Sequence, residues 1–203
     1  MNSARTLVLA TRNQGKIAEM QRLLDSFSSD IQVRSSSEFN LDDVEETGST
    51  FEENALLKAV TIARATGFPA LADDSGLCVD VLGGAPGIYS ARWAGTHGDD
   101  QANIEKLLGD LRKIPSEQRS AKFVCVIALA LPNGESEVVR GELKGEIRFE
   151  PSGTNGFGYD PIFQPLGHQR TLAEMEPEEK DSISHRGFAL REIAPRIAPF
   201  ISR

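Results

Sequence analysis

The sequence predicts an α/β protein with a mixed sheet flanked by helices, and three observations carry this. A short apolar run at residues 6–10 is followed at once by helical spacing. The most apolar run, residues 123–131, ends in a Pro132-Asn133-Gly134 turn, and a capped, alanine-containing helical segment leads into the apolar run 69–73. Strand-turn-helix units give parallel pairs, whereas a hairpin gives an antiparallel one, so both are expected in one sheet.

In order along the chain, residues 6–10 read as a buried strand. From 13 to 27, Ile17, Met20, Leu23, Leu24 and Phe27 recur at helical spacing, with Lys16, Glu19 and Arg22 placed toward solvent. Residues 31–34 form a candidate second strand, followed by a polar loop carrying Asp42, Asp43, Glu45 and Glu46. Thr50 and Glu53 have the spacing of a capping box, the helix they open extends to Thr66, and Gly67 ends it. Asp99 or Asp100 caps a further amphipathic helix through Ile104, Leu107, Leu108 and Leu111, stopped before Pro115. The central strand at 123–131 turns into 136–140. Residues 153–161 form a loop too glycine-rich for regular structure, of a kind that often faces ligands. Ser182 or Ser184 then opens a last helix with Phe188, Leu190, Ile193 and Ile197 as its apolar positions.

Composition narrows the function. With 203 residues, 39% of them hydrophobic, the chain can bury a core as one domain over residues 1–203. Lys plus Arg number 22 against 30 Asp plus Glu, a formal charge of −8, which argues against nucleic-acid or anionic-membrane partners. Cys78 and Cys125 lie in apolar runs without CxxC or zinc spacing, so inert reduced thiols are expected, a disulfide between them being the weaker reading. The N-terminus has no signal-peptide core, and no run approaches the roughly 20 apolar residues of a membrane span, so a cytoplasmic location is expected.

The chemistry centres on Asp73 and Asp74, placed where an apolar strand runs out into a glycine-rich turn. Two adjacent carboxylates are costly without positive charge between them, and a divalent cation is the simplest partner. Glu45 and Glu46 could converge with them on magnesium, Asp74 also activating a water for attack on phosphorus; equally, the glutamates could form a solvated acidic loop. Thr11-Arg12-Asn13-Gln14-Gly15-Lys16, between strand and helix, suits an anion through backbone N–H groups and the side chains of Thr11, Asn13 and Lys16, or is a capped helix with a solvated lysine. It lacks the Walker pattern. Lys58 is either a surface lysine or aimed at phosphate. Phe157, Tyr159 and Asp160 offer an aromatic face and a polar edge to a base, or a structural turn with a core aromatic. Lys180, His185 and Arg186 are donors suited to keto oxygens. His97 and His168 have no spaced partners, and zinc and a serine nucleophile are improbable.

Taken together, these segments resemble the inosine and xanthosine triphosphate pyrophosphatase family over nearly the whole chain. The residues that carry the resemblance are Thr11-x-Asn13-x-x-Lys16, Glu45-Glu46-Thr47-Gly48, Phe51-x-Glu53-Asn54-Ala55-x-x-Lys58-Ala59 and Ala72-Asp73-Asp74-Ser75-Gly76-Leu77. Further on come Gly83-Gly84-Ala85-Pro86-Gly87-Ile88-Tyr89-Ser90-Ala91-Arg92, Gly156-Phe157-Gly158-Tyr159-Asp160-Pro161, and Lys180 with Ser184-His185-Arg186. The resemblance implies an elongated two-lobed fold with a central mixed twisted sheet, a cleft between the lobes and a homodimer. It also implies Mg2+-dependent cleavage of nonstandard purine triphosphates (ITP, dITP, XTP) to the monophosphate and pyrophosphate. Residue by residue, it implies that Thr11 to Lys16 and Lys58 hold the triphosphate, with Ser75, next to Asp74, also a substrate-binding candidate. Glu45 and Asp74 would bind metal or water and Asp74 would be the base, with Asp73 and Glu46 as alternates. Phe157, in the Gly158-Tyr159-Asp160 loop, would stack on the purine, and Asp160, Lys180, His185 and Arg186 would line its hydrogen-bonding edge. Arg12 departs from the family, where glycine is common. Alternatives are a house-cleaning pyrophosphatase for modified pyrimidine or 7-methylguanine nucleotides, and a regulator that binds a triphosphate without cleaving it; the Ser-His-Arg segment favours inosine-type bases.

Overall fold

A computed structural model describes residues 5–25 and 31–202. Six strands form one sheet in the order β2-β1-β3-β4-β5-β6, with β1 (Arg5–Leu9), β2 (Ile31–Ser35), β3 (Ala70–Val79), β4 (Ser120–Ala130), β5 (Ser136–Ile147) and β6 (Phe163–Pro165). β1 is parallel to β2 and to β3, whereas β5 and β6 are antiparallel, so the sheet is mixed as expected. The helices are α1 (Gln14–Asp25), α2 (Phe51–Thr66), α3 (Asp100–Asp110), α4 (Pro177–Ile183) and α5 (His185–Phe200). Among the described residues no helix is long and apolar enough to cross a membrane.

The chain divides into two compact units. The first gathers Met1–Asp74, Cys125–Gly141 and Arg186–Arg203. Its core takes Leu7 and Leu9 from β1, Leu71 from β3 and Cys125, Ile127 and Leu129 from β4, alternate residues that share one face, and covers them with Met20 and Leu24 of α1 and Leu190, Ile193 and Ile197 of α5. The second unit gathers Ser75–Val124 and Glu142–His185. There Leu77, Val79, Phe123 and Ile147 pack with Ile104, Leu107 and Leu111 of α3 and with Ile162, Phe163, Leu172 and Met175.

Local signals behave largely as read. Thr50 caps α2, its hydroxyl accepting from Glu53 N–H at 3.1 Å, and Gly67 ends the helix at φ +73°. The reciprocal half of the box lies chiefly one residue earlier, where the Glu53 carboxylate accepts from both the N–H and the hydroxyl of Ser49. Asp99, not Asp100, caps α3. Neither cysteine is in a disulfide, and Cys125 is buried with its thiol pushed up to about 12 by that burial.

Other expectations need correcting. β3 does not run out after the aspartates but continues to Val79, so Asp73 and Asp74 lie in mid-strand. The strand accommodates Gly76 because a Cβ there would stand 2.2 Å from the Gly87 carbonyl oxygen and 2.6 Å from Ser90 Oγ, a close approach only glycine allows. Glu19, expected toward solvent, is buried, and Phe188, one of the apolar positions of the last helix, is 44% exposed. Phe27 lies outside the described residues. Helix α4 and strand β6 are too short for a periodicity to reveal them.

Candidate active site

The candidate side chains form two groups, one within each unit. In the first unit, α1 starts where the Asn13 side chain accepts from Lys16 N–H at 3.0 Å, while Thr11 Oγ1 accepts from Asn13 N–H at 3.3 Å. Asn13 thus caps the first turn of α1, and Thr11 supports the turn before it. Lys16 is not a solvated lysine: its Nζ lies 2.9 Å from Asp73 Oδ2. Gln14 is exposed and Gly15 half-buried. The Arg12 guanidinium turns to the acidic loop, pairing with Asp43 at 3.1 Å and donating to the Leu41 carbonyl.

Asp73 is the hub of a buried charge network. Besides Lys16, it meets Arg186 Nη2 at 3.3 Å, and Arg186 also pairs with Glu19 of α1. Burial works against a charged Asp73, but Lys16, Arg186 and Lys58 overcome it and hold this carboxyl far below the usual range. Arg186, almost fully buried, is held in its charged form by Glu19 and Asp73 against the same penalty. The resemblance implies a role for it at the edge of a base, and it also takes part in this network within the first unit. Glu19 is the residue the sequence reading missed, and the available signal was its spacing: it follows Lys16 by three positions and so shares its helix face.

Asp74, the next residue on β3, faces a different set of side chains. Its Oδ2 accepts from Asn54 Nδ2 at 3.1 Å and its Oδ1 lies 3.6 Å from Lys58 Nζ. The same ammonium is 2.5 Å from Glu46 Oε1. Asn54 and Lys58 are four residues apart on α2, hence on one face, and Asn54 Oδ1 also accepts from Gly48 N–H at 2.8 Å. One helical face thus ties Asp74 to the acidic loop. Glu46 is half-buried and engaged there, whereas Glu45 is exposed. Burial, with Glu46 adding repulsion, raises the Asp74 carboxyl above the ordinary aspartate value despite Lys58, Lys16 and Asn54. Lys58 shifts upward too: its own burial opposes the charge, but Asp74, Glu46 and Asp73 outweigh it. A carboxylate moved toward neutral pH beside a lysine is suited to accept a proton.

The donor set also bears on a metal. Among the described residues no group of three or more Asp, Glu, His or Cys side chains is arranged to hold an ion. Two carboxylates, Asp74 and Glu46, do meet at one ammonium, that of Lys58. That fits magnesium, which keeps several waters and commonly takes only one or two protein carboxylates along with substrate phosphates.

In the second unit, Asp160 is buried, its Oδ2 accepting from Lys180 Nζ at 2.5 Å and from Phe157 N–H at 2.9 Å. Lys180 Nζ also sits 4.7 Å from the centre of the Phe157 ring. Phe157 itself is half-buried. Tyr159 is a core aromatic, its hydroxyl donating to the Ser90 carbonyl at 2.9 Å. His185 stacks on Phe123 with ring centres 4.7 Å apart. Gly156 must be glycine: its φ is +75°, and a Cβ would meet Asp160 Oδ2 at 2.1 Å. Ser75, half-buried, belongs to this unit.

Comparison with known proteins places these residues in a family context. A Ham1 family model matches residues 7–196. A Streptomyces avermitilis protein named dITP/XTP pyrophosphatase is 58% identical over 190 residues, covering 93% of this chain and 95% of its own. A Bacillus cereus protein of the same name is 47% identical and covers 97% of both chains. Among solved structures, a HAM1 protein from Coxiella burnetii superimposes with a TM-score of 0.87 at 48% identity, covering 96% of this chain and 99% of its own.

Proposed function

The chain belongs to the Ham1 family, and on that premise we propose that it hydrolyses nonstandard purine nucleoside triphosphates, dITP and XTP among them, to the nucleoside monophosphate and pyrophosphate. The observation that carries the reading is the Asp74, Lys58 and Glu46 cluster: a buried carboxyl of raised pKa beside a lysine, tied to an acidic loop. The alternatives for modified pyrimidine or 7-methylguanine nucleotides, or for binding without turnover, have no comparable support in the relatives' names.

In the proposed reaction Asp74 accepts a proton from water as the water oxygen attacks the α-phosphorus. The bond from that phosphorus to the bridging oxygen breaks, pyrophosphate leaves with the electron pair, and the monophosphate keeps the water oxygen. Lys16 and Lys58 contribute positive charge toward the phosphates. Asp74 with Glu46, and Glu45 from the same loop, would hold magnesium, which when bound neutralises phosphate charge and lowers the pKa of a water. Asp73, engaged by Lys16 and Arg186, serves placement of Lys16 rather than base chemistry.

Base recognition falls to the second unit, where the Phe157 ring suits stacking and Lys180 supplies a donor. A keto oxygen at position 6 of hypoxanthine or xanthine accepts from such a donor, while the amino group of adenine faces it with hydrogens. The proposal includes a homodimer and a cytoplasmic location, the latter in keeping with two cysteines outside any disulfide. The test is pyrophosphate release from ITP, dITP, XTP, ATP and GTP, each with magnesium and with excess chelator. Magnesium-dependent release from the first three with little from ATP or GTP supports the reading; equal cleavage of all five, or none, rejects it.

A further inference from the structure

Helix α3 opens with two adjacent carboxylates put to different uses. Asp99 caps the helix, accepting from Ala102 N–H at 3.0 Å, so the helix start does not depend on its neighbour. Asp100 instead reaches 58 positions along the chain, its Oδ2 accepting from Gly158 N–H at 2.7 Å. Gly158 directly follows Phe157, and the two glycines flanking that ring, Gly156 and Gly158, both sit at positive φ, +75° and +60°. Such a segment has a wide choice of backbone conformation and takes its shape from outside anchors. Asp160 holds the peptide before the ring through Phe157 N–H, and Asp100 holds the peptide after it. The next helical turn braces a second motif: the buried Asn103 donates to the Ala91 carbonyl at 3.3 Å and accepts from Ala94 N–H at 2.7 Å.

We infer that Asp100 is a positioning residue for base selection: by fixing the peptide that follows Phe157 it sets the direction of the ring lying against the Lys180 ammonium. The inference rests on the reading of Phe157 as the base-stacking ring. Asp100 touches no substrate in this scheme, and it acts through Phe157 alone.

The test compares Asp100→Ala, Asp100→Asn and Phe157→Ala. Loss of one charge-assisted hydrogen bond at an exposed site should raise KM for ITP about fivefold in Asp100→Ala with little change in kcat. Inhibition by inorganic tripolyphosphate should stay at the wild-type level. The Asn side chain can still accept from Gly158 N–H, so Asp100→Asn should restore KM, and amide exchange of the 156–158 segment should quicken in the alanine variant only. An unchanged KM in Asp100→Ala, or a parallel loss of kcat and tripolyphosphate inhibition, overturns the inference while a raised KM in Phe157→Ala leaves the stacking reading standing. An unchanged KM in Phe157→Ala overturns both.

Discussion

Asp73 and Asp74 are neighbours on β3 and sit in opposite electrostatic surroundings. Successive strand residues point to opposite faces, so Asp73 turns toward Lys16 of α1 and Arg186 of α5 while Asp74 turns toward Asn54 and Lys58 of α2. The first is held far below the usual carboxylate range and the second is raised above it. The proposed reaction gives them different work accordingly.

Replacing Asp74 by Asn should therefore remove the base and leave the fold. Turnover of ITP should fall by about 10²- to 10⁴-fold, with the thermal unfolding midpoint little changed. A variant retaining near-wild-type kcat would exclude Asp74 from proton transfer.

Asp73→Asn should behave in the reverse way, harming the fold first. It strands Lys16 and the buried Arg186 without their shared carboxylate, a loss of about 3–5 kcal/mol at pH 7. The folded-state pKa of Asp73 is depressed, so its contribution is complete above the unfolded value near 4 and shrinks as pH falls below it. Urea unfolding of both proteins at pH 7 and near pH 3 should show the gap between them narrowing on acidification; a constant gap would mean that the charge of Asp73 is not what stabilises.

The Asp74 carboxyl should titrate above the ordinary aspartate value of 3.8 in the metal-free protein. Carbon-detected NMR titration measures this directly. Lys58→Met removes a favourable charge and should move the midpoint higher, whereas added magnesium should move it lower. No response to magnesium would detach the metal from this carboxylate.

Gly76→Ala probes the close approach inside β3. The added Cβ meets a backbone carbonyl and a hydroxyl that cannot withdraw without moving the Gly87–Arg92 segment, so a loss of about 1–3 kcal/mol is expected. A wild-type unfolding midpoint would show that the segment yields freely.

Much of this protein was legible in one dimension. Helix α2 was bounded by Thr50 and Gly67, the mixed sheet followed from a hairpin turn set among strand-turn-helix units, and the ordered motifs announced the family, because caps, turns and hydrophobic periods act over a few residues. The different surroundings of Asp73 and Asp74 were not legible, since the two differ only in the face of β3 they occupy, and the cations that distinguish them come from α1, α2 and α5. Glu19 looked solvated until Arg186, 167 positions away, came to lie beside it, and Asp100 looked like an alternative cap until Gly158 did the same. The sequence by itself determined the elements and the inventory of charges; only the tertiary structure decided the pairing, because the energy of a buried charge depends on neighbours that distant segments bring to it.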